Sequence, residues 1–77
     1  MELKDTIALM TSEDYRERLK AEYFQTKIRA NKLRKAIECG VFVSALNVIA
    51  EAQLNHMINY MAMLAYRAYL EGINLEE

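Results

Sequence analysis

Not one proline interrupts this sequence, and its only two glycines stand at positions 40 and 72. Proline and glycine stop helices most reliably. A chain otherwise rich in helix formers therefore has two places to end a helix and little means of building successive tight turns. An all-α fold follows. The 77 residues leave room for one domain spanning 1–77. The two glycines divide it into helix one, over about 12–38, and helix two, over about 44–71.

Local signals agree with that division. Thr11-Ser12-Glu13-Asp14 places hydroxyls at a helix N-cap and acids in the first turn, where free backbone N–H groups favour them. From there Tyr15, Leu19, Tyr23, Thr26, Ala30, Leu33 and Ile37 recur at steps of three and four and make an inner stripe. Gly40 suits the left-handed position after the last turn. Beyond Val41-Phe42-Val43, Ser44 can cap a second helix with the stripe Leu46, Ala50, Gln53, Leu54, Met57, Tyr60, Met61, Leu64 and Ala68, closed by Gly72. Two helices of similar length on a short link make an antiparallel hairpin. Ahead of them Leu3, Ile7 and Met10 suggest a short leading helix over about 2–10 that folds back as a lid.

A hairpin alone does not shelter these residues. Ala21, Phe24 and Ile28 form a second apolar patch on helix one, opposite the inner stripe. On helix two Ile49, Ile58, Ala62, Met63, Tyr66, Tyr69 and Leu70 point away from the stripe, and a helix apolar on all sides is normally buried on all sides. Leaving them in water would forgo on the order of 10 kcal/mol. The expectation is self-association into a helical bundle, as a dimer or higher homo-oligomer, with Phe24, Ile28, Ile58, Met63 and Leu70 as contacts.

Other ways of stabilising a small chain are missing. The one cysteine, Cys39, cannot form an internal disulfide, and a single histidine, His56, leaves no Cys/His set for zinc. No metal and no cofactor are expected. The 53% apolar and 27% charged content excludes a disordered tail, and a formal charge of -1 disfavours nucleic acid as a partner. Glu2, Lys4 and Asp5 break the apolar run that a signal peptide requires, and Asn59 and Arg67 interrupt the longest apolar stretch, Met57 to Leu70. The expected setting is the cytoplasm, without membrane contact.

Three groups of residues could carry function. Lys27, Arg29, Lys32, Arg34 and Lys35 make one end of the hairpin basic, with no acid between Glu22 and Glu38. They either complement a helix C-terminus or bind phosphates. Tyr66 and Tyr69 face outward, where they suit an interface or a ligand. Glu22, Gln53, Tyr60 and Arg67 suit an interhelical polar layer, since pairing about Gly40 brings Tyr60 to Glu22 and Gln53 to Arg29. Cys39 is expected to be a buried small residue and His56 to face solvent. No glycine-rich phosphate loop, Glu-x-x-His pair or nucleophile beside a base is present, so catalysis is not expected.

Asp14-Tyr15, Arg18-Leu19, Glu22-Tyr23, Arg29, Lys32-Leu33, then Gln53, Met57, Tyr60, Leu64, Arg67 and Glu71-Gly72-Ile73, form a pattern that resembles a family of small phage and prophage proteins named after a crAss-like phage. The connector departs from that pattern by being short and apolar. The resemblance implies a bacteriophage accessory protein in a bacterial host. In that context the expectation is a non-enzymatic counter-defence protein that binds a host defence protein or sequesters a cyclic nucleotide signal. The alternative is a structural or adaptor oligomer without a small ligand.

Overall fold

Two antiparallel helices, α2 (Tyr15–Glu38) and α3 (Ser44–Glu71), make the body of the protein, preceded by a 3-10 turn at Leu3–Thr6 that runs into the one-turn α1 (Ile7–Met10). The structure is a computed structural model and describes residues 1–76. Among these residues no helix is long and apolar enough to cross a membrane. The longest dimension, 42 Å, matches the 28 residues of α3 at about 1.5 Å per residue.

Both long helices end in the same way. Gly40 and Gly72 have φ of 71° and 70°. Behind each, the next residue's N–H reaches back five positions, from Val41 to the Ala36 carbonyl (3.2 Å) and from Ile73 to the Ala68 carbonyl (2.8 Å). This pairing satisfies carbonyls that the end of a helix leaves open. At the second site Ile73 also packs on Leu19, Leu64 and Ala68, so the chain that leaves α3 turns back onto the interior.

The starts differ from expectation. Asp14 rather than Ser12 caps α2, its carboxylate accepting from the Arg16 N–H at 2.9 Å, while Ser12 Oγ accepts from the Asp14 N–H at 3.0 Å. The hydrogen bond from the Arg16 N–H, reinforced by the Arg16 side chain, holds the Asp14 carboxyl below the usual carboxylate range. Ser44 does not cap α3. Val43 occupies the cap position with no side-chain hydrogen bond, and Ser44 is drawn into the left-handed region at φ 44° because the chain must reverse within five residues.

The interior is narrow. Leu19, Phe24 and Leu64 are the large apolar side chains buried in it, with Ala21, Ala30, Ala50 and Ala68 lining the helix contacts. Thr6 is fully buried, donating to the Leu3 carbonyl (2.6 Å) and accepting from Gln25 (3.0 Å), which also reaches Met10 Sδ. The leading segment does fold back on α2, but on a different face from the one expected. Thr6 points inward with half-buried Leu3 and Leu9, while Ile7 and Met10 are largely exposed. Phe24 is 1% exposed. It is therefore not available on the surface as the self-association contact expected, because its ring is already buried within the single chain. Ile28 is half-buried beside Leu3 and Lys4. Leu46, expected in the inner stripe, is exposed, and Cys39 is exposed rather than buried.

Replacing Gly72 with Ala should cost about 1–2 kcal/mol, the penalty for a Cβ in the left-handed region. Urea denaturation measures this, and an unchanged midpoint would show that the terminal turn carries none of the stability.

Candidate ligand-binding groove

Clefts lie along the α2–α3 hairpin, one of them near the turn and lined by Arg34, Ile37, Glu38, Glu51, Leu54 and Asn55, and two others farther from it. The first of these two, about 390 Å³, sits towards the free end and is lined by Met10, Tyr15, Arg18, Leu19, Glu22, Gln25 and Arg67. Its polar groups are engaged with one another. Tyr60 donates to Glu22 at 2.9 Å, Tyr15 donates to Glu71 at 3.0 Å, Arg67 donates to the Tyr15 hydroxyl, and Arg18 donates to the Ser12 carbonyl at 2.8 Å. The Tyr60 and Arg67 contacts follow from antiparallel register, since Glu22 with Tyr60 and Tyr15 with Arg67 are equally spaced about the turn. The hydrogen bond to Glu22 also raises the Tyr60 phenol above its ordinary value, because ionisation would break the bond and set two negative charges side by side. Gln53 remains exposed and is not drawn into this layer.

The second cleft, about 340 Å³, lies nearer the middle of the hairpin. One wall is the α2 stripe Tyr23, Lys27, Asn31 and Arg34, spaced by four, four and three so that all four share a face. The other is apolar, formed by Ile58, Met61, Ala62 and Ala65 of α3, with buried Ala30 at the base. No carboxylate lines it among the described residues. Lys27 is steered by its stem, which brings Nζ to 5.9 Å from the centre of the Phe24 ring. Tyr23 meets the same ring edge-on at 5.3 Å and packs against Leu19, Leu64 and Ala68.

The five basic residues of α2 are thus not one site. Lys27 and Arg34 converge on the second cleft, Lys32 lies beside Ile28 and the leading segment, and Arg29 and Lys35 are exposed elsewhere on the helix. Asn31 and Ala65 complete the cleft and are absent from the residues singled out by sequence. The signal that could have found them is the four-residue spacing from Tyr23 to Asn31. Tyr66 and Tyr69 stack with ring centres 6.4 Å apart and an interplanar angle of 20°, exposed on the outer side of α3. His56 is exposed, and no group of three or more metal-ligating side chains is present among the described residues.

Fold and groove together describe an all-α hairpin with an open cleft, cationic on one wall and apolar on the other. The chain belongs to the Sequestin family, whose model matches residues 13–70. That span holds α2, the turn and nearly all of α3, and with them both walls of the groove. The family's name is that of a sequestering, binding protein. Neither a curated protein nor a solved structure matches the chain.

Tyr60 should stand apart in an ultraviolet pH titration. Its phenol stays protonated above the usual ~10 of tyrosine, so the stability contributed by the Glu22 contact is fully present below that value and is lost as pH rises through the higher folded-state value. In Tyr60→Phe the late-titrating component should vanish. If it persists, the late phenol belongs to another tyrosine.

Proposed function

We propose that this protein is a non-enzymatic sponge that sequesters a nucleotide immune signal, working as a phage or prophage counter-defence protein in the host cytoplasm. The observation that carries this reading is the groove, where Lys27, Arg34 and Asn31 stand across from Ile58, Ala62 and Ala65 with no acid among the lining residues. A nucleotide is amphipathic in the same sense. Its phosphates need cations and amide donors, and its base needs a flat apolar wall with an aromatic edge, which Tyr23 supplies. A volume of about 340 Å³ falls within the usual range for small-molecule sites. The groups along the groove recognise charge and shape, which suits tight holding of an unaltered ligand, as the family's name suggests. The phage setting comes from the sequence resemblance.

The polar cleft at the free end is the weaker candidate. Its cations already donate to the chain itself, so a ligand there would have to break internal hydrogen bonds before making new ones. A second reading is favoured by the exposed apolar face of α3, which suits a protein-binding role, either on a host immune factor or as an adaptor without a small ligand.

Calorimetric titration with cyclic dinucleotides, cyclic trinucleotides and cyclic ADP-ribose species separates these readings. The expected result is saturable binding of at least one class, weakened about 10- to 100-fold per residue in Lys27→Ala and Arg34→Ala, as for loss of a charge-assisted hydrogen bond. Arg29→Ala and Lys35→Ala should change affinity little. Absence of heat with every nucleotide would leave the protein-binding role.

A further inference from the structure

The groove does not stop at Arg34. That side chain also lines the cleft near the turn, a space of about 400 Å³ that it shares with Glu38, Glu51 and Asn55. Both walls run through the junction at unbroken helical spacing, Lys27, Asn31, Arg34 and Glu38 on α2 and Ile58, Asn55 and Glu51 on α3. What changes there is the charge. Lys27 and Arg34 make the middle of the hairpin cationic, whereas towards the turn each helix contributes a carboxylate.

The packing of the hairpin accounts for neither acid. Glu38 is the last residue of α2, where the negative end of the helix dipole opposes a carboxylate. Glu51 accepts from the Asn47 side chain at 3.2 Å on its own helix, and among the described residues neither acid forms an ion pair.

We propose that Glu38 and Glu51 decide which group can follow the phosphates of a bound nucleotide, admitting one that carries hydroxyls or amines and refusing a further phosphate. This selection deepens the nucleotide reading and rests on one part of it, that Lys27 and Arg34 hold phosphate. With the base against Tyr23, a phosphate seated on Arg34 sends the next group of the ligand towards the two carboxylates. The hydroxyls of a sugar donate to them. Another phosphate sets like charges together at close range, a clash that costs the proper ligand nothing. Nucleoside triphosphates are thereby turned away.

Calorimetric titration with ATP and with the cyclic nucleotides tests this, on the wild type, on Glu38→Gln and Glu51→Gln, and on the double variant. EDTA is present throughout, so that no divalent cation bridges phosphate and carboxylate. Both positions are exposed and glutamine keeps each side chain's size and its power to accept a hydrogen bond, while circular dichroism checks that helicity is unchanged. Each substitution should tighten ATP binding about 5- to 10-fold, the effect of removing one like charge near 4 Å in water. The gain should shrink as salt rises. Cyclic nucleotides, which have no terminal phosphate, should be affected little. A gain that survives the addition of Lys27→Ala belongs to another site and overturns the proposal. If a cyclic nucleotide binds but neither substitution moves the ATP affinity, the carboxylates have no such role and the sponge survives. If the wild type takes no nucleotide and the double variant takes ATP, the exclusion stands and the sponge falls. Absence of nucleotide binding in both overturns the two together.

Discussion

Alanines line the contact between α2 and α3. Ala30, Ala50 and Ala68 are buried at the helix interface, with Leu19 and Leu64 as the large side chains there. Small residues let two helices approach closely, which gives good dispersion contact but encloses little volume. The larger apolar residues are thereby displaced. Phe24 is buried with Tyr23 edge-on against its ring, and the large apolar residues of outer α3 stay in solvent. The lid, the groove and the bare face of α3 all follow from that narrow interior.

The lid shows how a short segment is fixed without a core of its own. A single turn has little helical stability in isolation. Here the Glu2 N–H is capped by Asp5 at 2.8 Å, and Thr6 is tied both to Leu3 and to Gln25 of α2. A buried hydroxyl with both its roles satisfied costs little and specifies one docking position.

Much of this was legible in the sequence. Gly40 and Gly72 marked both helix ends, because few other residues accept the left-handed turn. Antiparallel pairing about the Gly40 turn placed Tyr60 beside Glu22. What escaped was decided by contacts beyond one helix. Periodicity could not tell that Phe24 faces an internal partner, since a patch opposite the main stripe looks the same whether a lid or another protein covers it. Leu46 fitted the stripe of α3, yet its side chain is exposed. The five cations looked like one feature because no acid separates them, whereas helical geometry turns neighbours 100° apart and sends only Lys27 and Arg34 to one wall. Ser44 has the chemistry of a cap, but the tight reversal gave it a different backbone position.

The Tyr15, Arg67 and Glu71 contacts lie at the end of the hairpin remote from the turn. Covalent linkage at Gly40 and this polar clasp therefore hold the two helices at both extremities, with the groove walls between them. A cleft braced in that manner keeps its width while empty. An entering molecule then surrenders its own freedom but need not order the protein, so more of each contact survives as affinity.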